Sequence, residues 1–176
     1  MLLTGGERRT VMGSDDLEID RVCLDDGSLG HGRKGYPAPA VSAVWYNLRA
    51  RPWRTLALVA PVNGSRAWRL AHELRAVEGA RPRGIHVVNA LDATVGRVAA
   101  ITHALSPKKL ESRTDQLRFI VAADSPLVNP VAIGLLTTCD AVVLLLERRR
   151  TRIPDAQRIL ELVGSERFIG AVLCPG

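Results

Sequence analysis

From Val41 onward, short apolar runs alternate with segments of helical periodicity, and that alternation leaves few folds open to the chain. The runs TLALVA (55–60), IHVVN (85–89), RFIVAA (118–123), AVVLLL (141–146) and FIGAVL (168–173) read as strands. They are too short for helices and too evenly apolar for strands that face water on one side. Between them, residues 66–78, 93–105, 130–138 and 154–163 repeat their apolar positions at helical spacing. Strands buried on both faces and separated by helices form a largely parallel sheet covered on each side. The expected fold is therefore a three-layer α/β domain.

The punctuation agrees with these elements. Ser65 is placed to cap one helix and Gly79 to close it. Asn129 and Pro130 read as an N-cap followed by proline in the first turn, and Gly164 follows the last helix. Ahead of the first strand, Val41, Val44, Trp45 and Leu48 fall at i, i+3, i+4 and i+7, one face of a short helix that Pro52 ends. Residues 1–40 carry Gly, Asp and Pro without sustained periodicity and read as a flexible lead-in to a single domain spanning 41–176.

No apolar run approaches the length of a bilayer crossing, and the opening MLLTGGERRTVMGSDDLEID lacks the apolar core of a signal peptide, so a cytoplasmic protein is expected. Cys23, Cys139 and Cys174 stand singly, as reduced apolar residues do, and the four histidines have no ligand-like spacing, so no metal site is expected. The net charge of +6 comes almost wholly from arginine, since Lys34, Lys108 and Lys109 are the only lysines. A basic surface suits nucleic acid, acidic headgroups or an acidic partner. Nucleic acid is disfavoured because no stacking aromatics interleave with the arginines.

In a parallel sheet, ligands sit beyond the carboxyl ends of the strands, which singles out four loops: PVNGSR, NALDAT, DSPLVNP and ERRRTR. The first of these, with Asn63, Gly64, Ser65 and Arg66, lies where a phosphate loop would lie. Such a loop needs glycines that turn backbone N–H groups inward, a lysine for the outer phosphates and a hydroxyl for magnesium. One glycine is present and the lysine is not; Arg66 is bulkier and forked, no simple replacement. The alternative is a tight strand-to-helix turn. At the end of the third strand, Asp124 precedes Ser125 and Pro126. It is placed either to hold a magnesium-bound water or to accept hydrogen bonds from the following turn.

Together these segments resemble the cytoplasmic tyrosine kinase domains of bacterial polysaccharide export, within the MinD/ParA-type P-loop ATPases. The resemblance runs from about Val41 to Cys174. IVAADSP is similar to the Walker B signature of that family. TTCDAVVLLLE matches its helix ending in Asp before an apolar strand, RRRTRIPDAQ its Thr-containing loop, and FIGAVLC its final strand. SAVWYNLRAR lies where the family carries an E-x-x-R-x-x-R subunit contact, of which Arg49 is retained.

The departures from that pattern bear on chemistry. The family's Gly-x-Gly-Lys-Ser/Thr loop is shortened here to PVNGS, and its Asp-x-Asp motif reads Asn89-Ala90-Leu91, with Asp92 one place beyond. Its tyrosine cluster is absent, Tyr36 and Tyr46 being the only tyrosines. Phosphoryl transfer relies on the lysine and the metal-positioning acids. The expectation is a degenerate, non-catalytic member without cofactor, regulating exopolysaccharide synthesis by binding a membrane co-polymerase or chain-length regulator. Its contact surfaces would be the stripe of Val41, Val44, Trp45 and Leu48 with Arg49, which would also serve a homo-oligomer, and the basic loop of Arg148, Arg149, Arg150 and Arg152. Two alternatives stand beside it: an active kinase or ATPase using ATP and magnesium, and a MinD/ParA-like positioning protein.

Overall fold

The computed structural model describes residues 39–62, 64–78, 84–111 and 117–175. In chain order the elements are α1 (Pro39–Arg49), β1 (Thr55–Val59), α2 (Ser65–Glu78), β2 (Ile85–Ala90), α3 (Val95–Ala104), α4 (Pro107–Glu111), β3 (Arg118–Ala123), α5 (Ala132–Thr138), β4 (Ala141–Glu147), α6 (Ile153–Val163), a 3-10 turn (Ser165–Arg167) and β5 (Phe168–Cys174). The strands form one sheet in the order β2-β3-β1-β4-β5, and every pairing is parallel. The fold is the three-layer α/β arrangement expected from the alternating runs.

Period-2 alternation along the strands splits the core in two. Leu56, Leu58, Ile120, Ala122, Val143 and Leu145 face α1 and α2, meeting Trp45, Leu48, Leu70 and Leu74. Ala57, Val59, Val121, Ala123, Val142 and Leu144 face the other way, onto Val98, Ile101, Leu135, Leu136 and Ile159 of α3, α5 and α6. The strands look uniformly apolar because each serves two cores.

Several element boundaries differ from expectation for local reasons. Asn129 is not a helix cap: α5 begins at Ala132, and Asn129 instead accepts the Val131 N–H at 3.3 Å within an Asx-type turn. Ser65 is the first residue of α2, and the carbonyl of Gly64 accepts the first intrahelical bond, from Trp68 N–H at 3.1 Å. Thr94 caps α3, its hydroxyl accepting from Arg97 N–H. Gly164 closes α6 with φ +95°, as its position suggested. Gly79 and residues 1–38 lie outside the described residues.

The stripe on α1 faces inward, which corrects its reading as an outer contact surface. Trp45 and Leu48 are buried, and Val41 and Val44 pack partly buried against the same core. Trp45 stacks edge-on against Trp53 with centroids 6.2 Å apart and donates Nε1–H to Glu78 at the end of α2. The physical reason is the open face of the sheet. One helix, α2, cannot cover it, and α1 supplies the second. Arg49 stays exposed on the outer side.

Candidate functional site

Strand order fixes where a site can form. From β1 the chain crosses to β2 through α2 on one face; from β3 it crosses to β4 through α5 on the other. Adjacent strands β1 and β3 thus send their connections apart, and the crevice between their carboxyl ends is the switch point where such sheets bind ligands. Residues 60–62 and Gly64 lie on one side of it and the loop 124–129 on the other, with 91–94 alongside because β2 neighbours β3.

Side chains from the neighbouring loops come close to Gly64 in this crevice. A methyl group added at Gly64 would overlap the Leu91 side chain and come within 3.0 Å of Asp124 Oδ1. The Leu91 side chain, half-buried, lies directly beside Gly64. Asp92 takes a left-handed conformation (φ 52°), and its N–H donates to Asp124 Oδ2 at 2.6 Å. That oxygen also accepts from Asn129 Nδ2 at 3.3 Å, and the same amide donates to the Ala93 carbonyl. Asp124 therefore stitches the loop after β2 to the loop after β3.

Ser125 and Pro126 are buried. The Ser125 carbonyl accepts from Val128 and Asn129, and its hydroxyl accepts from Leu127 N–H. Asn89 accepts the Leu91 N–H through Oδ1, while its carbonyl receives Arg97 Nη2 at 3.0 Å. Of the expected phosphate-loop residues, Gly64 precedes α2 and lies beside Asp124, Ser65 and Arg66 open α2, and Asn63 lies outside the described residues.

Arg66 points away from the crevice. Its Nε lies 3.7 Å from Oε2 of Glu147, and Arg150 Nη1 lies 3.7 Å from the same oxygen. Glu147 ends β4 and is almost wholly buried, and its Oε2 has no hydrogen-bond partner of good geometry. The sequence reading passed over this residue. The signal was present, because an acid closing the run AVVLLL must be buried or turned outward, and three arginines follow at once.

The turn after β4 is tight. Thr151 Oγ1 accepts the Glu147 N–H at 2.8 Å, the Glu147 carbonyl accepts from Arg150 and Thr151, and Arg149 has φ 67°. Arg148, Arg149 and Arg150 are exposed and, with Pro175, line an open recess of about 500 Å³; Arg152 is exposed one step before α6. Beside it, burial pushes the Cys174 thiol pKa upward, opposed by Arg66 and reinforced by Glu147.

Among the described residues, no three His, Cys, Asp or Glu side chains gather as a metal site, and no helix is long and apolar enough to cross a membrane. No family model, curated protein or solved structure matches the chain.

Proposed function

We propose that this chain is a non-catalytic, P-loop-like α/β domain that acts by binding a protein partner. The carrying observation is the Leu91 side chain seated against Gly64, where a nucleotide phosphate would have to enter. Two further features support it. Asp124 is engaged by the Asp92 amide and the Asn129 side chain, and Arg66, the cation nearest the loop, is paired with a buried carboxylate. Freeing Arg66 for a phosphate would leave Glu147 with a single, largely exposed arginine partner, a costly exchange in a buried setting.

The partner is proposed from the resemblance to polysaccharide-export tyrosine kinases: a membrane co-polymerase or chain-length regulator, bound so as to regulate exopolysaccharide synthesis. The exposed turn of Arg148, Arg149 and Arg150 is the surface suited to an acidic region of that partner.

Calorimetric titration of the full chain with ATP and magnesium tests the non-catalytic reading. No binding heat is expected up to millimolar nucleotide. A micromolar affinity that Arg66→Ala abolishes would overturn it. Pull-down with the co-polymerase tests the partner, with loss of capture expected when the three arginines are neutralised.

A further inference from the structure

We infer that β5 is an assembly edge that pairs antiparallel with β5 of a second copy of this chain across a two-fold axis. Among the described residues β5 has a single paired neighbour, β4, and although Phe168, Ile169, Val172 and Cys174 pack partly buried against the two cores, Gly170, Ala171 and Leu173 are exposed. On the α6 side a recess of about 490 Å³ runs along Phe168, Ala171 and Leu173, floored by Leu144 and Leu146. On the α1 side another of about 400 Å³ runs along Ile169 and Val172 beside Val44 and Leu48. Leu173 is 71% exposed and Ile153, across the first recess, 74%. A further strand would pair with the edge and send alternate side chains toward both recesses, which a small ligand on one face does not.

Among the described residues, the edge carries little of the usual protection. FIGAVLC has no charge and no proline, whereas unpaired edges are ordinarily blunted by lysine, proline, bulges or a covering segment. Its one irregularity, the register shift opposite Val142 and Val143, falls near the amino end and leaves residues 170–174 regular. Within that stretch the Cys174 carbonyl accepts from Arg148 N–H on the β4 side. Backbone groups alternate along a strand, so Ala171 and Leu173 turn their N–H and C=O groups outward.

Two identical edges related by a two-fold axis run antiparallel. Placing Ala171 opposite Leu173 of the partner, and Leu173 opposite Ala171, satisfies all of these groups with about four backbone hydrogen bonds. The axis then passes at Val172, and each Leu173 extends the apolar recess under its own α6. Pro175 has no N–H and ends the ladder.

Charge argues for a second copy over an unrelated strand. Antiparallel pairing directs exposed Glu166, just before β5 in one protomer, toward the turn of Arg148, Arg149 and Arg150 beyond the carboxyl end of the other, and does so twice. The neighbouring cation does not oppose this, because Arg167 reaches inward to the Cys139 carbonyl at 3.5 Å. This assembly does not depend on the nucleotide site being inactive.

Sedimentation of the full chain over a range of concentrations and salt tests the inference. A closed monomer–dimer equilibrium is expected, weaker at high salt. Leu173→Lys should raise the dimer dissociation constant by roughly tenfold or more. The circular dichroism melt of the monomer should be unchanged, since the side chain is solvent-facing there. Glu166→Arg should also weaken the dimer, and adding Arg149→Glu should recover part of the loss. Amide exchange at Ala171 and Leu173 should be slow in the wild type and fast in Leu173→Lys. A monomer at every concentration, an open series of larger species, or a dimer that Leu173→Lys leaves intact would each overturn it.

Discussion

Replacing Trp45 with alanine separates a packing helix from a docking helix. Trp45 is 2% exposed, wedged between α2 and Trp53, so truncation removes nearly the whole side chain from the core and leaves a cavity. Burying a tryptophan takes about 200 Å² out of water, worth about 5 kcal/mol at 25 cal/mol per Å² against an extended chain. A real unfolded chain hides part of that area already, which brings the figure toward the 3–5 kcal/mol measured for such truncations. The indole N–H bond to Glu78 adds little, because that carboxylate is only part-buried and rehydrates once freed.

Urea unfolding followed by far-ultraviolet circular dichroism, which does not depend on tryptophan emission, is the assay. Tyr46, the next residue, is 68% exposed and provides the control. Tyr46→Ala should lie within about 0.5 kcal/mol of wild type, while Trp45→Ala loses about 3–5 kcal/mol, against about 5–15 kcal/mol of usual domain stability. If Trp45→Ala costs less than about 1 kcal/mol with an unchanged urea slope, α1 is not docked on the sheet. Its stripe would then be free to serve as a contact surface after all.

Three other perturbations follow from named contacts. Asp124→Asn keeps an acceptor oxygen for Asp92 N–H but loses the charge, so a loss of about 1 kcal/mol in a chemical melt is expected with partner binding intact; lost binding in a folded variant would assign Asp124 a ligand role. His72 has its pKa lowered by burial and then by Arg75, so the unfolded chain takes up its proton first as pH falls. Its contribution is intact above the ordinary value near 6.5 and is lost as pH drops below it. The melting temperature of wild type should therefore fall more between pH 8 and pH 5 than that of His72→Gln, and equal falls would refute this. Burial, with Asp140 adding to it and Arg167 opposing, pushes the Cys139 thiol up to about 12, so alkylation at pH 8 followed by peptide mapping should leave Cys139 unmodified until the chain unfolds.

What the sequence disclosed and what it hid divide along the range of the interactions involved. The strands were readable because a run such as LALV is apolar at every position, which only a sheet buried on both faces requires. Strand order was not, since nothing within 118–123 says that β3 will insert between β2 and β1. The α1 stripe had the right period, but periodicity shows that a face is buried and not against what; the partner proved to be the chain's own α2 and Trp53.

The phosphate-loop question has the same character. The missing lysine could be read directly, whereas the occupant of the crevice could not, because Leu91 comes from a loop 27 residues beyond Gly64 and arrives only through the β2-β3-β1 order. Asp124 then holds that loop by its backbone at Asp92, and the left-handed turn there keeps Leu91 aimed at the glycine. The carboxylate at the end of β3 is engaged in tying two loops together, by the Asp92 N–H and the Asn129 side chain. If the proposed reading holds, placing a lysine at Ser65 alone should give no calorimetric ATP binding, whereas Ser65→Lys combined with Leu91→Ala should begin to show it; binding by the single variant would refute the role given to Leu91.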